Sequence, residues 1–267
     1  RADVRSPPWT GHGQEVHDVS GKTAIGWTDA TWNPVRGCTR ISEGCRHCYA
    51  EQQAARIVRM GKGNPTAYDG LVKLVGGEAR WTGVVRLIVE HLADPMRWKT
   101  PRRIFVNSMS DLFHENLTNE QIAAVFGVMA ACPQHTFQVL TKRSARMTKW
   151  FEWVATLECD PWTECHAAAL AFDTDDTVHC KSGGLEDRPW PLPNVWLGVS
   201  VENQEAADDR IPDLLATPAT VRFLSCEPML APVDLFAFLK TDLRDRSLRA
   251  LGCDGPLPGI GWVIDGC

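Results

Sequence analysis

Long apolar runs and an excess of basic residues are both missing from this sequence of 267 residues. It contains no run of eighteen apolar residues, so it predicts no transmembrane helix and no membrane partner. The net charge of −5 excludes a strongly basic protein that coats nucleic acid, but it leaves room for a local basic patch in a cleft. Residues 1–20 lack the apolar core of a secretory signal peptide and are rich in polar residues, Gly and Pro. We therefore expect a loose N-terminal arm there and a cytoplasmic protein.

Cysteine, by contrast, is plentiful. In a reducing compartment, ten cysteines indicate ligands or free thiols rather than disulfides. Three of them, Cys38, Cys45 and Cys48, fall in one stretch with the spacing C-x6-C-x2-C. Gly37 and Gly44 lie beside two of these cysteines and tolerate tight backbone turns, so the three thiols are expected to point inward together.

Cys48 also opens a predicted helix over residues 48–60. A thiol at a helix N-terminus is stabilised as the thiolate by the helix dipole, so we expect a lowered pKa for Cys48.

Four interpretations of the three cysteines compete. A structural zinc site needs four ligands, and His47 is an awkward fourth because its neighbour Cys48 is already used. A disulfide with one odd thiol conflicts with the expected compartment, and three unrelated buried cysteines conflict with the tight spacing. The fourth interpretation is a [4Fe–4S] cluster held by three thiolates, with one iron left open for another molecule.

Alternating strands and helices predict an α/β fold. Most strand candidates are continuously apolar, which is typical of parallel strands covered on both faces. The predicted strands cover 23–27, 84–90, 103–108, 136–141, 194–200, 220–226 and 260–265, and the predicted helices cover 48–60, 119–131, 144–155, 203–216 and 233–240. This order predicts one domain over 21–267, a partial TIM-like (β/α) barrel of parallel strands or an open sheet, with an insertion at about 157–193.

Polar residues cluster where the predicted strands end, and the carboxyl ends of parallel strands converge on one ligand-binding face. The residues in question are Asn107, Ser108, Asp111, Thr141, Lys142, Arg143, Ser200, Glu202, Asn203, Ser225, Glu227 and Asp265. We expect a shared site at this face; the alternative is ordinary helix capping and loop chemistry.

A three-cysteine loop before a helix in such a fold resembles the radical S-adenosylmethionine (SAM) superfamily. The usual spacing there is C-x3-C-x-φ-C with an aromatic φ, whereas this chain has C-x6-C and His47 in the φ place. The chain is more similar to an uncharacterised family of phage and prophage proteins, grouped as radical-SAM-like. The phrases that carry this resemblance are IGWTDATWNPVRGC, GCRHCYAE, IFVNSMSDLFHE, FQVLTKR, NVWLGVSVENQ and VRFLSCEP, between residues 25 and 228.

The resemblance implies a [4Fe–4S] cluster on the three cysteines, with SAM bound at the open iron and an electron donor such as flavodoxin or ferredoxin. The implied SAM-binding residues are His47, Tyr49, Asn107, Ser108, Ser200, Glu202 and Asn203. The implied catalytic residues are Asp111, Lys142, Arg143 and Glu227. Lys142 and Arg143 favour an anionic substrate, for instance a nucleotide or nucleic acid.

Structural roles compete with several of these assignments. Asn203 suits a helix cap, Lys142 and Arg143 suit a solvated pair, and Glu227 suits an ion pair with Arg143. His114 lies close to Asp111 in the sequence and is expected to be structural.

The predicted insertion carries its own Cys/His pattern, Cys159, Cys165, His166, His179 and Cys180. Four of these five residues would complete a zinc site; the alternative is a flexible loop that contains thiols.

Near residue 265, the phage family usually has a Gly-Gly-Glu-Ser-Gly turn, then a helix and a strand, whereas this sequence reads IGWVIDGC. We therefore expect that the C-terminal closure is missing. The leading hypothesis is a radical SAM enzyme of unknown substrate in the cytoplasm of a host. The alternatives are a binding module for nucleic acid or a host protein, stabilised by a cluster or zinc, and an inactive relative.

Overall fold

The computed structural model describes residues 21–23, 25–174, 176–178, 189–239 and 260–264. The predicted arm at 1–20 and Asp265 lie outside these residues. The strands are β1 Gly21–Lys22, β2 Ala30–Trp32, β3 Val35–Arg36, β4 Val72–Val75, β5 Glu78–Trp81, β6 Arg86–Leu87, β7 Arg103–Val106, β8 Thr136–Thr141, β9 Val195–Ser200, β10 Val221–Ser225 and β11 Trp262–Ile264.

Seven of these strands form the central sheet, in the order β1-β2-β7-β8-β9-β10-β11. Every neighbouring pair is parallel except β1 with β2. The α/β class and the parallel sheet are therefore confirmed. Closure into a barrel is not: in the described part of the chain, β1 and β11 are open edges at opposite ends of the sheet. The small pairs β3–β6 and β4–β5 lie outside this sheet.

The helices are α1 Tyr49–Met60, α2 Asp94–Arg97, α3 Asn119–Ala131, α4 Ser144–Ala155, α5 Pro161–Phe172, α6 Gln204–Ala216 and α7 Phe236–Leu239. The start of α3 is fixed by a capping box, in which the Thr118 hydroxyl accepts from the Gln121 backbone N–H and the Gln121 side chain accepts from the Thr118 backbone N–H. Nearly all of α3 is buried, because it packs between the sheet and α5.

Alternate residues of the sheet face two different environments. Ile104, Val139 and Leu197 face the helices and belong to the main apolar core. The residues between them face the other side, where the Trp27 ring packs on Phe105 with 4.7 Å between ring centroids. Both faces of the sheet are thus covered, which explains why the strands have continuously apolar sequences.

Two predicted strands are wrong. The described residues of 23–27 do not form a strand, because the chain turns there between β1 and β2, with the Thr28 backbone N–H donating to the Ile25 carbonyl. The strand predicted at 84–90 shrinks to Arg86–Leu87, since the chain enters a short 3₁₀ helix directly afterwards. In both segments, the available strand partners rather than the apolar content determine which residues form a strand.

The segment expected to be an insertion contributes α5 to the core. Gly127 of α3 makes this packing close: a Cβ atom there would lie 2.1 Å from the carbonyl oxygen of Cys165 in α5. The two helix backbones therefore approach each other as only glycine permits.

Replacing Gly127 with alanine tests this contact, because helix propensity and close packing predict changes of opposite sign in the free energy of unfolding. Helix propensity alone predicts a gain of about 1 kcal/mol in unfolding free energy. We expect instead a loss of about 1–3 kcal/mol, because the added methyl group overpacks a backbone contact. Urea denaturation measures the difference, and a stabilised variant would contradict the close packing.

No helix in the described ranges combines the length and apolar character needed to cross a membrane.

Candidate functional site

The three-cysteine loop, residues 37–48, lies across the carboxyl edge of the central sheet. At its start, Gly37 forms a bridge with Ser110, which follows β7. At its end, the Tyr49 hydroxyl donates to the Ser108 carbonyl. In the middle, the Ser42 hydroxyl donates to Glu202 beyond β9. The loop therefore sits where a parallel sheet presents its ligand-binding face.

All three cysteines of the loop are free thiols and are half-buried. The Cys38 thiol interacts electrostatically with Cys48, and Cys48 does so with Cys45. The thiols are thus neighbours in series along one short loop, and no disulfide joins them.

Burial controls the acidity of these thiols. It raises the pKa of Cys38 to about 12, and the carboxylate of Asp111 adds to the increase, while Arg143 opposes it. The pKa expected for Cys48 was wrong in direction. Burial raises it, and this outweighs the lowering effect of the backbone N–H groups of Glu51 and Ala50 at the helix N-terminus.

The three free thiols are of the donor type that iron–sulfur clusters use. In the described ranges, no group of three or more His, Cys, Asp or Glu side chains is arranged to hold one ion. His47, the fourth zinc ligand considered, is exposed.

The Cys38 side of the loop is anchored through Thr39. Arg143 donates from Nη2 to the Thr39 carbonyl at 3.1 Å and to its hydroxyl at 2.6 Å. His114 lies 3.0 Å from the same hydroxyl through Nε2, while its Nδ1 accepts from the Asn116 backbone N–H. Burial and the nearby Arg143 lower the pKa of His114. His114 is therefore neutral and supports the loop.

The remaining donors of Arg143 are also used. Its Nε bonds to Glu115 at 2.9 Å, and its Nη1 lies 3.3 Å from Asp111 and 3.7 Å from the Cys38 sulfur. Asp111 in turn accepts from the Thr141 hydroxyl at 2.7 Å and from the Lys142 backbone N–H at 3.1 Å. Arg143 and Asp111 thus form an internal network that leaves no guanidinium donor for a phosphate.

The Cys45 side of the loop is anchored through Glu202, which is fully buried. Arg210 of α6 donates to both carboxylate oxygens, at 2.8 and 3.2 Å, and Ser42 donates to one of them. Burial would raise the pKa of Glu202, but the hydrogen bonds from Arg210 and Ser42 and the charge of Lys142 hold it below its ordinary value. Gly44 packs directly on this carboxylate, since a Cβ atom there would lie 3.0 Å from it.

A third buried carboxylate, Glu51 of α1, holds the loop to the β4–β5 hairpin. Arg40 donates to both of its oxygens, and the Trp81 backbone N–H donates to one of them at 2.9 Å. Asp111 (through Arg143), Glu202 and Glu51 therefore fix the loop at three separate points.

A family model matches residues 22–267, nearly the whole chain. Its description is "protein of unknown function (DUF5131)". The chain belongs to the DUF5131 family. No curated protein and no solved structure shows a significant match. The expectation of an uncharacterised family is thus confirmed, whereas the match says nothing of radical SAM chemistry or of phages.

In this DUF5131 chain, the other predicted SAM-binding residues lie along the same edge. Asn107 is buried with a left-handed φ of 61°, and its Oδ1 accepts from the Val35 backbone N–H at 3.2 Å, while its Nδ2 has no partner among the described residues. Ser108 is half-buried and donates to Asn33 at 3.2 Å. Ser200 is buried at the end of β9, next to Ser225 in the sheet register.

Three further predicted residues lie at the margin of the site. Asn203 caps α6, because its side chain accepts from the Ala206 backbone N–H at 2.9 Å. Glu227 is exposed after β10, and Arg143 pairs with Asp111 and Glu115 instead. Tyr49 is 55% exposed, and its hydroxyl donates to the Ser108 carbonyl.

The structure separates the members of the second Cys/His pattern that it describes. Cys159 is exposed, whereas Cys165 is buried in the α3–α5 contact. His179 and Cys180 lie outside the described residues. The zinc site stays a prediction, without a geometry to support it.

Sequence reasoning missed several residues that support the site, namely Asn33, Thr39, Ser42, Glu51 and Arg210. Most of their contacts are with residues distant in the chain or with the backbone, and no local pattern marks such contacts. A cavity of about 280 Å³ lies at the opposite end of the sheet, beside His135 and Asn194, so it is separate from the cysteine loop.

Proposed function

We propose that this DUF5131 chain is an iron–sulfur, SAM-dependent radical enzyme. The observation that carries the proposal is a loop with three free, half-buried neighbouring thiols, anchored across the carboxyl edge of a parallel sheet. When bound, a cluster with SAM supplies one-electron reduction and hydrogen abstraction. Cys38, Cys45 and Cys48 are the cluster ligands in this proposal.

The chain's own residues have positioning roles in this proposal. The guanidinium of Arg143 beside Cys38 favours the thiolate over the thiol, because it offers a positive charge 3.7 Å from the sulfur. The Asp111–Arg143 and Glu202–Arg210 pairs hold the two sides of the loop. Asp111 and Glu202 are thus assigned to structure near the site rather than to contact with substrate.

Substrate and SAM contacts fall to the residues that remain available. Ser108 and Asn107 lie at the end of β7, and the Asn107 amide nitrogen is a buried donor without a partner in the described part of the chain. Lys142 is half-buried near Glu202, and Glu227 is an exposed carboxylate after β10. The proposal includes an external electron donor of the flavodoxin or ferredoxin type and a phage-associated protein in the cytoplasm of its host.

A second candidate function is a cluster-stabilised binding module without catalysis. It is favoured by one specific observation: Asp111, Arg143 and Glu202, which were expected to act on substrate or SAM, are engaged in internal pairs. The iron content does not separate the two candidates, but SAM cleavage does.

Anaerobic purification tests the cluster. We expect a brown protein with about four irons per chain, and we expect Cys45→Ala to lose most of this iron because a ligand is removed. Cys159→Ala is the matched control, since Cys159 is exposed and lies outside the loop. Colourless protein with stoichiometric zinc would contradict the proposal.

Catalysis is tested separately on protein that holds its iron. Reduction with dithionite in the presence of SAM is expected to release 5′-deoxyadenosine, which chromatography quantifies. A full complement of iron without this product would favour the binding module instead.

A further inference from the structure

Charge is divided unevenly along this chain. Residues 36–86, which hold the cysteine loop, α1 and the β4–β5 hairpin, contain nine Lys/Arg and four Asp/Glu, whereas the whole chain contains 28 and 33. A segment with a net charge of +5 is thus set into a protein with a net charge of −5. Such a local patch attracts polyanions even when the net charge is negative.

Part of this positive charge is exposed along the outer side of α1. Tyr49, Gln52, Arg56 and Arg59 are all exposed, and their spacing of three, four and three residues places them in one stripe along the helix. Glu51 is the only acidic residue of α1, and it is buried and paired with Arg40. The stripe therefore contains an aromatic ring, an amide and two cations, with no negative charge.

Exposed apolar side chains concentrate in the same segment. Of the nine large hydrophobic residues that are exposed in the described part of the chain, six fall within 36–86. These six are Ile41, Tyr49, Met60, Leu74, Val75 and Val84. Exposed apolar groups beside cations are typical of a surface that contacts a partner, and Tyr49 is the one of the six that can stack on a base.

The stripe begins beside the cysteines. The Tyr49 hydroxyl donates to the Ser108 carbonyl, which fixes the ring next to Cys48 at the first turn of α1. From Tyr49 to Arg59 the stripe spans about 15 Å, the length of roughly four stacked nucleotides. Arg143, one of the two cations on which an anionic substrate was expected, is buried and fully paired. Among the residues that the structure describes, the exposed arginines of α1 form no such ion pair.

We propose that a single-stranded nucleic acid binds along this stripe, with its phosphates on Arg56 and Arg59 and an unpaired base on the Tyr49 ring. A duplex buries the faces of its bases, so it cannot use the exposed ring in this way. Identifying the strand as the substrate rests on the proposed function; its binding does not.

Fluorescence anisotropy tests the proposal with labelled oligouridylate and oligothymidylate of about 12 nucleotides. We expect saturable binding by the parent protein. In Arg56→Glu/Arg59→Glu, the slope of log affinity against log salt concentration should become less steep by about 1.4, since two phosphate contacts are lost. The affinity at low salt should fall at least ~10-fold. The matched control is Lys99→Glu/Lys149→Glu, which reverses two exposed cations outside the segment and should stay within about twofold of the parent.

The aromatic contact has its own pair of variants. Tyr49→Ala should weaken binding by about 10-fold through loss of stacking, while Tyr49→Phe keeps the ring and should bind nearly as the parent does. Comparing the two oligonucleotides decides between RNA and DNA as the source of the strand. Absence of saturable binding, equal loss in the control pair, or preference for a duplex of the same length would overturn the proposal.

Iron content distinguishes this inference from the proposed function. The Arg56→Glu/Arg59→Glu protein is expected to retain its iron and lose the oligonucleotide, because α1 keeps its buried side and its contacts with the loop. If the parent protein binds the oligonucleotide but never holds iron, that result supports the nucleic-acid interface and contradicts the proposed enzyme.

Discussion

Replacement of Glu202 with alanine is expected to lower the free energy of unfolding by about 3–5 kcal/mol, because Arg210 is then left as an uncompensated buried charge. Arg210 is only 5% exposed, so water cannot replace the lost carboxylate without opening α6. The same change removes the partner of Ser42 and releases the Cys45 side of the loop. Urea denaturation measures the first effect, and the reactivity of Cys45 towards a thiol reagent measures the second.

Two comparisons make this prediction specific. Glu205→Ala removes an exposed acid from the first turn of α6 and should change stability by less than about 0.5 kcal/mol. Glu202→Leu/Arg210→Met removes both charges and should recover most of the loss, since neither charge is then left unpaired. A double variant as unstable as Glu202→Ala would show that the cost comes from packing rather than charge.

The Glu202 pair also has a defined pH dependence. The pKa of Glu202 lies below its ordinary value of 4.5, so its contribution to stability is complete above that value and is lost as the pH falls through the pKa of the folded protein. The difference between the parent and Glu202→Ala should therefore be constant near neutral pH and shrink in acid. A difference that grew on acidification would contradict the assigned pair.

Replacement of Gly37 with alanine is expected to produce a comparable loss, for a different reason. Gly37 has a φ of +91°, which an L-residue adopts only with strain, and a Cβ atom there would lie 2.1 Å from the carbonyl oxygen of Val84. Strain of about 1–3 kcal/mol adds to the cost of moving one backbone segment away from another. Because Cys38 is the next residue, we expect the variant to lose iron as well as stability.

Two other glycines separate the contributions to this loss. Gly63 also has a positive φ, +89°, but a Cβ atom there meets nothing within 4 Å, so Gly63→Ala measures strain alone. Gly26 has neither constraint, and Gly26→Ala should be close to neutral. If the loss in Gly37→Ala equals that in Gly63→Ala, the predicted collision with Val84 does not contribute.

The sheet could be predicted from the sequence wherever a strand is buried on both faces. Residues 103–108, 136–141, 194–200 and 220–226 were expected to be strands, and β7, β8, β9 and β10 lie within them. Their apolar runs are long enough to show the burial directly. Residues 23–27 have a similar composition, but the chain turns there and Trp27 packs on the sheet. Composition alone cannot distinguish such a segment from a strand.

The site could be predicted only in part, because the spacing of the cysteines identifies candidate ligands but not the residues that hold their loop in place. The C-x6-C-x2-C pattern pointed to one loop, and the strand ends pointed to the edge on which that loop lies. Asp111 and Glu202 were found as polar residues of that edge, but their partners Arg143 and Arg210 determine what they do. Ionisable residues near a cleft have the same sequence signature whether they contact a ligand or hold a loop.

The anchoring of the cysteine loop has a consequence for how the centre is built. Ser42 and Glu202 are 160 positions apart in the chain, and Thr39 and Arg143 are 104 apart. Contacts of such separation form late, since closing long loops costs entropy that is recovered only when distant strands have docked. A zinc finger folds around its ion, but here most of the polypeptide must be in place before the thiols have their final positions. In the proposed function, iron therefore binds to a site that the folded chain has already shaped.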